Sequence, residues 1–198
     1  GRVGKQIAHT LTTGCQQGTV DVCPVKNPVK SDLARNTEIL RANGVEPATI
    51  DKIETTLVGF VDSALAAQNA MLALESLGYG GVFLGSIRNA PEAVATELGL
   101  PQHTIATFGM AIGRPDDTAG IKARLPQSAV LHHETYDTEA WRDAAPAYED
   151  SLREYYETQG MQGFSWLRAM RSKFGSLAGM NGRDTMRESL TRRGLPSD

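Results

Sequence analysis

Between Ala66 and Arg114 the chain reads AAQNAMLALESLGYGGVFLGSIRNAPEAVATELGLPQHTIATFGMAIGR, and no other stretch limits the possible folds as much. Small residues crowd its first part: Ala66, Ala67, Ala70 and Ala73 follow Ser63 and Ala64. They complete a helical pattern that opens at Pro47 and Thr49 and ends near Leu77, with apolar residues at Ile50, Ile53, Leu57, Val61, Leu65 and Leu72. A helix apolar on most sides and rich in alanine lets another backbone come close, which predicts a central position for it. Gln68 and Asn69, in its middle, would then need hydrogen-bond partners.

Gly78, Gly80 and Gly81 stop that helix, and GVFLGSI reads as a buried strand. These glycines mark a helix-to-strand turn, whereas a dinucleotide fingerprint lies on a strand-to-helix turn, so the pattern argues against a Rossmann site. Asn89 as N-cap, Pro91 in the first turn and Glu92 at N3 predict a short helix to about Leu98, ended by Gly99. HTIATFGMAIG is the second strand, and its Gly109 and Gly113 would let a flat ligand or another backbone approach.

The flanks are less regular. Residues 1–30 hold no sustained period, with one short strand expected at Thr19 to Cys23 before Pro24 and Pro28. Ser31 is the expected cap of a helix running to Ala42. The segment from Arg114 to Ser128 reads as loop and carries Lys122 and Arg124 on alternate residues. In an extended chain these point the same way, as an anion clamp or as a solvated pair. Val130 to Tyr136 is read as a last strand whose His132 and His133 would face opposite sides, which argues against a shared metal. Thr138 to Thr158 is an amphipathic helix that Pro146 would kink or divide, with Trp141, Tyr148, Leu152, Tyr155 and Tyr156 as a packing stripe. Two short helices follow Gly160, in a segment with seven basic residues against three acidic ones. Such a basic arm suits contact with a second subunit or binding of a phosphorylated small molecule.

Composition narrows the class. A chain of 198 residues, 40% hydrophobic and 22% charged, is expected to form one soluble globular domain. Its net charge of −3 carries no electrostatic footprint for nucleic acid. Asp62, Gln68, Asn69 and Glu75 interrupt the best candidate for the roughly 18-residue apolar run of a membrane span. With no secretory leader pattern either, the expected location is the cytoplasm. Cys15 and Cys23 match no zinc or redox spacing and are read as free thiols. The chain opens on Gly1 rather than Met, as a processed, tagged or truncated product would.

The sequence contains no GxSxG elbow, P-loop, HExxH or reactive-cysteine motif. No side chain is assigned as catalytic and none as a metal ligand; a cofactor is expected to do the difficult step.

AAQNAMLALESLGYGGVFLGSIRN, then LGLPQHTIATFGMAIGRPD, then IKARLP resemble in order and spacing the nitroreductase family, within it the NADPH-dependent, FMN-containing oxygen-insensitive nitroreductases and flavin reductases. The similarity runs from about Asp32 to the C-terminus. It implies an α+β fold with a mostly antiparallel sheet flanked by helices, a single domain over 1–198 with a basic helical arm at 160–198, and an intertwined homodimer. It also implies FMN as cofactor and NADPH as hydride donor, with nitroaromatics, quinones or free flavin as acceptors in a second half-reaction. By motif position, Phe83, Leu84, Gly85 and Ser86 match the segment along the flavin ring, Lys122 and Arg124 the K-x-R pair that holds phosphate and flavin, and Arg183 an arginine associated with the NADPH phosphate. Gln159 stands where the family has an arginine. The family's R-S-x-R segment has no recognised counterpart, residues 1–30 match poorly, and Gly4-Lys5-Gln6 correspond only faintly to a flavin-contacting pair. The alternatives are a truncated homologue that dimerises but binds flavin poorly, and a nucleotide-binding module without enzymatic activity.

Overall fold

The computed structural model describes residues 29–115 and 120–195. The strand expected at Thr19 to Cys23 and the Gly4-Lys5-Gln6 correspondence lie outside them. Two compact units are present, Gly1–Asp117 with Asn181–Asp198, and Thr118–Met180.

The first unit is built on strand β3 (Thr104–Gly113), whose run TIATFGMAIG is buried at Thr104 to Thr107 and again from Gly109 to Ala111. A strand of small and β-branched residues can be covered on both faces, and this one is. It is flanked by β1 (Val29–Asp32) and β2 (Gly80–Leu84) in the order β1-β3-β2. Both pairings are antiparallel, with Ser31 opposite Ile105 and Phe83 opposite Met110. Helices α1 (Ala34–Ala42), α2 (Ile53–Ser76) and α3 (Pro91–Glu97) complete this part, and a 3-10 turn (Gly85–Asn89) follows β2 directly. The expected α+β fold, mixed helix and antiparallel sheet, is what the chain adopts.

Several expected boundaries move. Ser31 lies within β1 and caps nothing, and α1 starts after Leu33 without a side-chain cap. The strand expected over GVFLGSI ends at Leu84, because the chain turns into the 3-10 segment at Gly85. Helix α3 starts at Pro91 from Ala90, one residue beyond the expected Asn89 cap.

Helix α2 is not the all-round buried helix its composition suggested. It buries one ridge, Thr56, Gly59, Ser63, Ala67 and Met71, while Leu57, Val61, Leu65 and Leu72 stay exposed in this chain. The reason is close approach: a β-carbon at Gly59 would come within 2.1 Å of Ser31 Oγ. Ser63 Oγ also reaches the Lys30 carbonyl at 2.9 Å. Large side chains would hold the helix away from β1, so the small ones face it. Gln68 and Asn69 are exposed and need no buried partner. By length and average composition α2 is long and apolar enough to cross a membrane, since the four polar interruptions are diluted over 24 residues. Its buried ridge is nonetheless taken by the sheet.

Two apolar clusters result. Leu33, Ile105 and Leu195 form one, with Ile50, Phe60, Met186 and Leu190 against them. Ala67, Met71 and Met110 form the other, under Leu74, Phe108 and Ile112. The C-terminal helix α6 (Met186–Arg192) closes the first, as Arg193 donates to the carbonyls of Leu100 at 2.8 Å, Thr104 at 3.2 Å and Pro101. His103, at φ 60°, returns a backbone bond to the Arg193 carbonyl at 2.7 Å.

The second unit contains a 3-10 turn (Gln127–Ala129), α4 (Ala140–Thr158), α5 (Trp166–Phe174) and a 3-10 turn (Leu177–Met180). Helix α4 continues through Pro146 without division. The strand expected at Val130 to Tyr136 is absent, because Glu134 takes φ 62° and breaks any extended run. His132 instead stacks on Tyr136, ring centroids 4.4 Å apart, and accepts the Asp137 N–H at 3.2 Å. The basic stretch 160–198 spans both units.

Candidate functional site

In the first unit the site is built where the edge strand β2 runs out. Among the described residues β2 has a neighbour on one side only, and Val82 and Phe83 are exposed on it. Phe83 is held edge-on against Phe108, centroids 5.4 Å apart at 90°. Leu84 ends the strand, and Gly85 and Ser86 open the 3-10 turn. A β-carbon at Gly85 would sit 3.3 Å from the Arg88 guanidinium, so glycine leaves that side chain room to fold back over the turn.

Arg88 donates to the Thr107 carbonyl of β3 and is half-buried. Burial holds its pKa below the usual arginine value, and the nearby charge of Arg183 lowers it further. Arg183 stands in a 3-10 turn (Arg183–Thr185), and its Nε is buried with no hydrogen-bond partner. Neither arginine has an ion-pair partner among the described residues. Two desolvated cations side by side, one with an orphaned donor, fit an anion between or beside them.

The sequence reading named Arg183 and missed Arg88. The available signal was an arginine at the fourth position of the glycine-led turn after the strand GVFL, inside SIRN between stronger features.

In the second unit Lys122 and Arg124 lie in a segment with no strand pairing, and they take different partners. Lys122 Nζ meets Tyr156 Oη at 2.6 Å and lies 4.9 Å from the centre of that ring. Arg124 folds back onto the carbonyls of Lys122 at 3.0 Å and Ala123 at 3.3 Å. Alternation along an extended strand therefore does not set their directions. Tyr156 is stacked in turn on Phe164, centroids 3.9 Å apart. The aromatic stripe of α4 thus does two jobs: Tyr148 packs against Trp166 at 5.0 Å, and Tyr156 orients a cation. Gln159 caps the C-terminal end of α4.

An antiparallel sheet with covering helices and an apolar strand edge makes this an α+β protein, and its solved structural neighbours place it in the nitroreductase-like fold. The comparisons agree. The description Nitroreductase family matches residues 40–114, and Nitroreductase family, C-terminal domain, matches residues 122–198. The oxygen-insensitive NADPH nitroreductase of Salmonella typhimurium is 42% identical over 113 residues, 57% of this chain and 47% of that protein. The FMN reductase (NADPH) of Bacillus subtilis is 35% identical over 141 residues, 69% of this chain and 57% of that protein. The solved structure of NfrA1 from B. megaterium superposes with a TM-score of 0.76 at 32% identity, covering 84% of this chain and 68% of that one. The chain belongs to the nitroreductase family. It spans about half the length of the curated relatives it matches.

Proposed function

We propose that this protein is an FMN-dependent reductase that takes hydride from NADPH and passes electrons to nitroaromatics, quinones or free flavin in two half-reactions. The observation that carries the reading is the end of β2: exposed apolar Val82 and Phe83 lead into a turn whose half-buried Arg88 stands beside Arg183. A flat ring with an anionic tail has the matching shape and charge. Relatives named for NADPH and for FMN or nitro reduction support the same assignment.

FMN, when bound, supplies the hydride and electron chemistry that no side chain here offers. Phe83, Leu84, Gly85 and Ser86 would support the ring, the first by its exposed face and the last two by backbone donors. Lys122, held by Tyr156, and Arg124 would neutralise phosphate. Arg183, beside Arg88, would take an anionic group of the reductant. Protein of this kind acts through placement, exclusion of water and fixed charge. The exposed ridge of α2 and the exposed apolar residues of α5 support a homodimer.

A visible spectrum tests this. Yellow protein whose flavin bands bleach on NADPH addition supports the reading; colourless protein that stays inactive after FMN is added overturns it in favour of a flavin-free homologue. Lys122→Ala with Arg124→Ala should weaken FMN binding about tenfold or more, and unchanged affinity would remove those two residues from the site.

A further inference from the structure

The geometry points to a phosphate monoester site on α5, formed by Arg168 and Arg171 with Ser172 and walled by Leu167. A groove of about 480 Å³ lies there, lined by Ser165, Leu167, Arg168, Arg171 and Ser172. The two arginines stand three residues apart and so project from one side of the helix. Among the described residues neither has an ion-pair partner, and Arg168 spends one donor on the Gly163 carbonyl. No carboxylate lines the groove.

The end of the helix is already filled. Ser165 Oγ accepts the Arg168 N–H at 3.1 Å, and a Glu149 carboxylate oxygen accepts the Leu167 N–H at 3.0 Å. What remains for a ligand is therefore the side-chain pair, whose forked donors match the oxygens of a phosphate dianion. The groove is larger than a bare anion needs, and Leu167 gives it an apolar wall. Its occupant is a phosphate attached to something, the arm of a nucleotide. That form of the inference rests on the reductase reading, since NADPH differs from NADH by one phosphate monoester.

Calorimetric titration of the full chain with NADP+, NAD+ and inorganic phosphate tests it. NADP+ should bind about tenfold or more tightly than NAD+, and Arg168→Gln with Arg171→Gln should abolish that preference while leaving NAD+ affinity unchanged. Lys173→Gln, which changes a cation of α5 outside the groove, should leave both affinities as they are. A preference that survives in the double variant together with undiminished inorganic phosphate binding, or that falls equally in Lys173→Gln, overturns the site. Inorganic phosphate binding lost in the double variant, beside an unaltered NADP+ preference, keeps the anion site and makes free phosphate its occupant. Flavin content is read separately from the visible spectrum, so failure here and failure of the reductase reading are distinguishable.

Discussion

The two compact units differ in how much apolar surface each covers. Among the described residues the first holds ten of the buried apolar residues, from Leu33 through Ile105 to Leu195, whereas the second holds Ala129 and Leu152. The second meanwhile exposes Leu167, Met170, Phe174, Leu177 and Tyr136. Hydrophobic burial is the main favourable term in folding, so a unit with so little of it relies on polar and aromatic contacts or on cover from a partner. Tyr148 on Trp166, Tyr156 on Phe164 and the Ser165 cap are contacts of that kind. One unit is held by a core and the other by pairwise contacts, and that difference can be tested.

The largest effects come from the cores. Ile105→Ala should cost about 3 kcal/mol and open the first unit, while Leu152→Ala should cost a similar amount and open the second. Urea unfolding gives the magnitude and limited proteolysis shows which unit is cut first. If both variants expose the same cleavage sites, the division into two differently held units is wrong. Next, Phe174→Ser with Leu177→Ser should weaken self-association about tenfold or more, with little loss in unfolding free energy. Sedimentation over a concentration series reads this, and association equal in the variant and the parent chain would mean that the exposed apolar face is not an interface.

Smaller changes sharpen the picture. Ser165→Ala removes the only side-chain cap recorded among the described helices and should cost about 1 kcal/mol, seen as faster amide exchange over α5. In the first unit Arg192 Nε lies 2.7 Å from Glu92 Oε1 and, through that hydrogen bond, holds the Glu92 carboxyl below its ordinary pKa. A depressed carboxylate pKa contributes stability above the unfolded value near 4.3 and loses it as pH falls through the folded value. Both groups are half exposed, so Glu92→Gln should cost no more than about 0.5 kcal/mol at neutral pH, shrinking to nothing below the folded pKa. A penalty that persists in acid would assign the loss to packing and not to charge.

Local signals were legible where they were chemical. GYGGVFLGSI had to leave a helix and enter a strand, HTIATFGMAIG read as a second strand, and SWLRAMRSKFG as one of two short helices after Gly160; all three elements are present. The family motifs were legible too, because they lie on those elements. Arg88 was not, since nothing local distinguishes an arginine that folds back under a glycine from one that faces water. Tyr156 was read as packing, and its grip on Lys122 joins residues 34 positions apart.

By itself the sequence determined the order and type of most elements, because helix and strand periods, glycines and caps act over a few residues. Tertiary structure alone decided which side of each element meets which neighbour. In α2 the apolar periodicity pointed to Leu57, Val61, Leu65 and Leu72, yet the sheet took Gly59, Ser63 and Ala67. The choice rests on how closely β1 can approach, a distance set by Ser31 on another element. The same holds for the cations: Lys122 and Arg124 are two residues apart, and their directions follow from Tyr156 and from the backbone fold, not from their spacing. Periodicity records which residues avoid water, and packing settles which neighbour meets each of them.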